Sequence, residues 1–469
     1  MKKKTKLIIA GAIIFFIVIF VGPWPVNNTP FKNTGYAKTT FNRIARVKPT
    51  QVSGQLYAGA AKFDITPPLN VPLGGYSARH PKENKGVIDK VYVRVISISN
   101  GSNTVSIVSP EILLPLPELV NAVLEKTHLK REQIYFTATH THSGPGGFAH
   151  GFIAEQNLGS FSKNYFAILS NTIAQAINTS RHSMQPAVLN YNRFSIRPKL
   201  VKTYMSNELN ESDPAYNTLH ILQITNRDTH NNIANLVTFS MHPTILGVKN
   251  YKVSGEYPSI IMKNFETQFK GITVFAIGAP GGISPVTSTL PPEQVTLLDK
   301  RNYIGKELSE LFINALKHPD NDPDLQTCTH VHWEAKSAVI QSHVFNIDLP
   351  GSNYHLSDDW RLSPYLVRII FHKESTYIEA LRIGKLVFLS YPADFSGNLA
   401  KRLENWGDEN GILPWVNSFN GDYIGYVMPS EYEGEHNYVM RGVNIYGPWS
   451  GDYFLTLSKQ IMRQLNGIQ

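Results

Sequence analysis

Gln133–Thr139, QIYFTAT, runs without a break into His140–Gly147, HTHSGPGG. The first half is aromatic, apolar and β-branched, the pattern of a short buried strand. The second half is a Gly- and Pro-rich turn carrying two histidines. The same junction recurs three times. ANLVTFS (234–240) enters MHPTILG, ITVFAIG (272–278) enters APGGISP, and KLVFLS (385–390) enters YPADFSG. VYVRVISI (91–98) and TVSIVS (104–109) read as two more buried strands. Between them, LPELVNAVLEKT (116–127), FAILSNTIAQAINT (166–179) and NYIGKELSELFINAL (302–316) have the apolar spacing of amphipathic helices. Strands alternating with such helices predict an α/β body, with mixed sheets flanked by helices. Sites in such folds collect at the carboxyl ends of strands. If the four strands are neighbours, their loops converge on one cleft.

Bulk properties narrow the chemistry. The chain has 469 residues, room for two domains or one large one, and 42% of them are hydrophobic. The net charge of +8 is modest and scattered, apart from the first six residues. Without a compact basic stripe, nucleic acid is not an expected partner. The single cysteine, Cys328, excludes an intramolecular disulfide and a cysteine-based zinc site. A metal would be held by His, carboxylate or Tyr.

The N-terminus carries Lys2, Lys3, Lys4 and Lys6 before LIIAGAIIFFIVIFVG, a run of 16 residues from Leu7 to Gly22. Its length lies between a signal-peptide core and a minimal membrane span. Residues 1–26 are expected to be a signal anchor or a signal peptide, with the lysines cytoplasmic and the rest exported. The protein is then held at the outer face of the cytoplasmic membrane, or secreted or periplasmic if the segment is cleaved. Residues 27–55, rich in Asn, Thr, Lys and Pro, read as a polar stalk. Residues 56–469 form the catalytic α/β domain, with a possible sub-lobe boundary near 318–328 in the loop HPDNDPDLQ.

On an extended backbone, His140 and His142 point to the same face. This fits a metal ligand beside a catalytic base, and equally two polar residues at a solvated strand end. His242 stands before Pro243, which biases it toward extended backbone. Asp394 could complete a His/His/carboxylate set with an open position, or cap the helix that FSGNLAKRLENW predicts. Ser284 lies in a glycine-rich turn that does not match a nucleophile elbow. In the tyrosine-rich stretch Pro429–Phe454 the aromatic residues read as core, with a tyrosine beside a metal as the more unusual alternative.

Together these segments resemble the neutral, non-lysosomal ceramidase family, from about Gly59 to Phe454. KFDITPP and GGYSAR are similar to its D-I-T-x-P and M-G-Y segments, and ATHTHSGPGG matches almost residue for residue. A later HPT and a later SEY keep the family order. The resemblance implies zinc ligands at His140, His242, Asp394 and Tyr432. It implies His142 as a catalytic histidine, Tyr446 as a catalytic tyrosine and Arg197 as the family arginine, with Arg193 as a competitor. Ser284 falls on the serine of G-D-V-S-P. Three departures stand out. Asp394 replaces a glutamate, Gly282 an aspartate and Val286 an asparagine. The chain reads as a short member lacking the C-terminal β-sandwich domain.

What the resemblance implies is zinc-dependent hydrolysis of the N-acyl bond of ceramide to a fatty acid and sphingosine. His142 would manage protons, and Tyr446 and Arg197 would steady the oxyanion. Ser284 would position rather than attack. A zinc hydrolase for another N-acyl or ester substrate is the alternative, as is a degenerate lipid-binding member without catalysis.

Overall fold

The computed structural model describes residues 3–79, 83–196, 200–203, 216–288, 290–319, 330–371 and 373–468. In chain order its main strands are β1 (Ser53–Gln55), β2 (Tyr57–Asp64), β3 (Tyr92–Ser99), β4 (Thr104–Pro110), β5 (Ile134–Phe136), β6 (Gln185–Ser195) and β7 (Thr218–Asn226). They continue with β8 (Asn232–Phe239), β9 (Ile272–Ile277), β10 (Val331–Ala335), β11 (Ser337–Asp348), β12 (Ser375–Ile383), β13 (Leu386–Tyr391) and β14 (Leu413–Ser418). The principal helices are α1 (Lys3–Phe20), α2 (Gly35–Ala45), α3 (Pro117–Thr127), α4 (Lys163–His182), α5 (Glu256–Phe269), α6 (Leu297–Lys317), α7 (Pro364–Phe371), α8 (Gly397–Glu409) and α9 (Ser450–Asn466).

Two sheets result. The nine-stranded one has the order β9-β8-β7-β6-β2-β3-β4-β5, with β10 added to β6; the five-stranded one has the order β14-β13-β12-β11-β1. Neighbours are antiparallel except β4–β5, β8–β9 and β13–β14, which are parallel. The sheets are mixed, as the strand-and-helix pattern predicts.

Period-two alternation explains the layering. Ile96 and Ile98, Leu222 and Ile224, and Val274 and Ala276 face Ile340, Leu381, Ile383, Phe388 and Trp415 in one buried cluster between the sheets. The intervening residues, such as Val93, Val95, Phe275 and Ile277, lie under the helices. Helices α4 and α5 pack on the large sheet, backed by α3 and α6, while α2 and α8 pack on the small one, joined by α9. Each fully buried large aliphatic contributes roughly 1.5–3 kcal/mol, so a helix–sheet–sheet–helix stack satisfies both faces of both sheets.

The large sheet curls until its ends meet. Strands β9 and β5 lie at opposite ends of the pairing order, yet the Ile277 amide donates to the Ala138 carbonyl at 3.0 Å. Ser109 Oγ donates to the Phe275 carbonyl at 2.6 Å. The small sheet is sewn to the same place by Ser390 Oγ on the Phe136 carbonyl and Asn417 Nδ2 on the Ile277 carbonyl, each at 3.0 Å. Strand β8 runs parallel to β9 and ends beside it, so the ends of β5, β8, β9 and β13 share one region and the four predicted loops do converge.

Three expectations change. Residues 27–55 do not form a free stalk. Phe31, Ala37 and Ile44 are buried in the core, and α2 packs on α9 and β11. Tyr36, Ala37, Phe41 and Ile44 make an apolar helix stripe inside a polar composition. At the N-terminus, no helix among the described residues is long and apolar enough to cross a membrane. Helix α1 has 18 residues, roughly 27 Å at 1.5 Å per residue, and begins with lysines, against about 30 Å of hydrocarbon. Most of the boundary near 318–328 lies outside the described residues. After it, β10 joins the large sheet and β11 the small one, so one core runs through both.

Candidate active site

Strand β5 stops at Phe136, shorter than the run to Thr139 predicts. His140 is not extended. Its φ is +61°, an uncommon conformation for a residue with a side chain. The same-face reading of an extended H-T-H is thus incorrect, although the rings still meet, with centroids 4.8 Å apart.

Backbone carbonyls fix two of the histidines. His140 Nδ1 lies 2.8 Å from the Leu113 carbonyl, and His242 Nδ1 lies 3.0 Å from the Ile283 carbonyl. A carbonyl only accepts, so each Nδ1 carries the proton and each Nε2 presents a lone pair. Such an outer hydrogen bond orients metal-binding imidazoles. Ser284 follows Ile283 directly, so the APGGISP turn serves the site through its backbone. In that turn, a Cβ on Gly281 would stand 2.7 Å from the Asp394 carbonyl oxygen, which excludes any side chain there.

The inward atoms converge. Asp394 Oδ1 is 3.1 Å from His242 Nε2 and 3.5 Å from His140 Nε2. His142 Nε2 is 3.2 Å from His140 Nε2. Candidate ligand nitrogens of the three histidines all lie within 4.8 Å of one another. His140, His242 and Asp394 are buried, whereas His142 retains some exposure. Burial chiefly, then the neighbouring imidazoles, holds His140 well below the usual histidine range despite the Asp394 charge. Burial, with the His242 and Arg79 charges, does the same to His142. Burial pushes the Asp394 carboxyl up, but His242, His140 and the Tyr423 hydroxyl outweigh it and hold it below the usual carboxylate range.

Two imidazole lone pairs and a carboxylate oxygen therefore face one another in a buried space. Lone pairs in contact repel unless a cation lies among them. Four-coordinate zinc ligands about 2.0–2.1 Å from the ion stand about 3.3 Å apart, close to the separations observed. The residues fit a metal ion.

The alternative reading of Asp394 as a helix cap does not hold, because the N-cap of α8 is Ser396. The tyrosines divide. Tyr432 is buried, and its hydroxyl accepts from Asn398 Nδ2 at 3.3 Å, in the first turn of α8. Tyr446 is buried as well, and burial with the Asp422 charge raises its phenol. Arg197 lies outside the described residues. Its competitor Arg193 is committed to Asp408, with Nη2 at 2.8 Å from both carboxylate oxygens.

Sequence reasoning missed several neighbours. Tyr426 Oη is 3.3 Å from His242 Nε2, and Tyr423 Oη donates to Asp394 Oδ2 at 2.8 Å. Phe419 stacks on His140 at 4.1 Å. Tyr76 lies 4.9 Å from the His142 ring, and Arg79 Nη2 donates to the His142 carbonyl at 2.8 Å. Gly75 must be glycine here, with a φ of +122° and a Cβ that would stand 2.6 Å from His142 Cα. GGYSAR and NGDYIGYV were the available signals, but neither contains a residue type that stands out as a ligand pair.

Behind the histidine loop, Thr141 Oγ1 donates to the Ser254 carbonyl at 2.7 Å, and the Ser254 amide donates to the Ser143 carbonyl at 2.9 Å. Two buried acids flank this brace. Burial, the largest influence on each, pushes Glu111 and Glu256 up to about 7.

Comparison with known proteins gives a consistent picture. Residues 56–287 match the family described as neutral/alkaline non-lysosomal ceramidase, N-terminal. Neutral ceramidase B of Dictyostelium discoideum is 26% identical over 260 residues, which is 49% of this chain and 35% of that protein. The chain thus matches about a third of that relative's length. The crystal structure of neutral ceramidase from Pseudomonas aeruginosa superposes with a TM-score of 0.70 at 17% identity, covering 88% of this chain and 75% of that one. A ceramidase complexed with C2 superposes equally, at 16% identity, with 88% and 76% covered. At these identities the two structures establish a shared fold.

Proposed function

We propose, for a chain that belongs through residues 56–287 to the neutral/alkaline non-lysosomal ceramidase family, that it hydrolyses the N-acyl bond of ceramide-like lipids with the help of zinc. The carrying observation is the convergence of His140 Nε2, His242 Nε2 and Asp394 Oδ1 with their lone pairs turned inward. In this reading those three residues and Tyr432 hold the ion. Zinc would supply Lewis acidity and a bound water of lowered pKa.

The chain's own residues do the rest. His142 is neutral, partly exposed and adjacent to the cluster, so it can take a proton from the attacking water. As the water oxygen bonds to the acyl carbon and the C–N bond breaks, that proton passes to the departing nitrogen. A fatty acid and a sphingoid base result. Tyr446 and Arg197 are assigned to the oxyanion, each for a few kcal/mol at most. Ser284 is a positioning residue, since its backbone neighbour Ile283 holds His242.

Membrane attachment is part of the proposal. Leu7, Ile8, Phe15 and Phe16 of α1 are exposed, as are Tyr365 and Ile369 of α7. Phe20 and Trp24 meet Tyr365 at 6.2 and 5.7 Å, which makes one apolar surface of the two helices. A lipid interface accommodates such a surface without a spanning helix, and would keep the enzyme beside a lipid substrate on the outer face of the cytoplasmic membrane.

Metal analysis together with turnover tests the reading. About one zinc per chain and release of fatty acid from long-chain ceramide are expected. Turnover of short acyl amides or esters alone would replace ceramide with another substrate. Well under one zinc per chain, with no turnover, would leave a lipid-binding protein.

A further inference from the structure

The aspartate that replaces the family glutamate has a partner that the sequence does not reveal. Asp394 offers Oδ1 to the histidines, while its Oδ2 accepts from Tyr423 Oη at 2.8 Å. The carboxylate is therefore shared between two elements, one oxygen for each.

The tyrosine is held by a rigid turn. The Phe419 and Asn420 amides donate to the Tyr391 carbonyl at 2.6 and 3.1 Å. Asn420 Nδ2 donates to the Tyr377 and Ser390 carbonyls at 2.6 and 3.1 Å. Asp422 accepts from Thr376 Oγ1 at 2.8 Å and is paired with Lys373. The Ile424 amide donates to the Pro392 carbonyl at 2.7 Å, two residues before Asp394. The same turn presses Phe419 on His140, with φ +68° at Phe419. A strained, over-determined turn that touches two site residues is a positioning device.

We infer that Tyr423 is a positioning residue that makes Asp394 a one-oxygen ligand. A carboxylate can bind a metal through one oxygen or both. A phenol O–H directed at Oδ2 occupies one of its lone pairs and fixes the carboxylate plane, so that Oδ1 alone faces the histidines. Aspartate is one methylene shorter than glutamate and has less freedom to find this orientation by itself. The hydroxyl supplies the orientation from outside. This inference rests on the metal reading above.

The test uses the full chain stripped of metal, as wild type and as Tyr423→Phe. Zinc affinity by chelator competition is expected to fall about 10–100-fold in the variant. The cobalt-loaded wild type is expected to show the visible bands of a five-coordinate site, with four protein ligands and a water. Tyr423→Phe is expected to show weaker bands, as both oxygens engage and coordination rises to six. Thermal unfolding of the metal-free proteins should coincide, separating orientation from general packing. Equal affinity and identical cobalt spectra would overturn the role of Tyr423 alone. A wild type that takes up neither metal would overturn the metal reading, and this inference with it.

Discussion

The site has two walls built on different principles. The histidine wall comes from the loops after β5 and β8, and its side chains are locked by backbone carbonyls, Leu113 on His140 and Ile283 on His242. The tyrosine wall comes from residues 419–426, and its members are set by side-chain partners scattered through the fold. Tyr423 meets Asp394 and Tyr426 meets His242, while Tyr432, assigned to the ion by the proposal alone, meets Asn398. A histidine in a glycine-rich loop has few alternatives to function. A tyrosine has many, since its ring packs in any core.

The largest expected effect is on the histidine wall. His140→Ala removes a ligand and leaves the Asp394 carboxylate and the other imidazoles to repel. Turnover should fall at least about a thousandfold and bound zinc should be lost. Unchanged activity, measured on ceramide, would break the assignment of this wall. His142→Ala should lower kcat by about 10²–10⁴-fold while zinc stays bound. Loss of the metal from that variant would instead make His142 a third nitrogen ligand.

The tyrosine wall is sharpened by a pair of variants. Tyr432→Phe removes the ligand that the family resemblance implies, and should cost about a hundredfold in turnover. Tyr426→Phe should cost about tenfold, by analogy with outer-sphere partners of metal ligands. The reverse order in parallel assays would move the ligand role to Tyr426.

The smallest effect concerns the brace behind the histidines. Glu256 has a folded pKa pushed up to about 7, chiefly by burial. Its proton is bound more tightly in the folded chain, so the stability it contributes is present at acid pH. That stability is lost as pH rises from the unfolded value through 7. Glu256→Gln removes this ionisation and should flatten the fall in melting temperature between pH 5.5 and 8. An unchanged slope would place the titration elsewhere, Glu111 being next.

Much of the fold was legible, for a reason visible in particular residues. The runs at 91–98, 104–109, 234–240, 272–278 and 385–390 are buried on both faces, so continuous apolarity marks them. Strands β6, β11 and β12 went unread because each carries polar residues among its apolar ones, such as Asn190, Asn192 and Arg193 in β6. Helix α2 was hidden by composition, since four apolar residues in a polar tract look like a stalk until α9 and β11 cover them. At the site, His140, His242 and Asp394 stood out in the sequence because each lies in a Gly- or Pro-containing loop that follows a strand.

The sequence by itself determined the buried strand runs, the histidine spacing and the donor types, because these depend on local backbone preference and side-chain chemistry. The tertiary structure decided what faced what. The curl that joins β5 to β9, the carbonyls that turn each Nε2 inward, and the placing of Tyr423 and Tyr426 beside Asp394 and His242 all depend on contacts between residues far apart in the chain. Such contacts follow from how two sheets close on each other, and no local pattern encodes that closure.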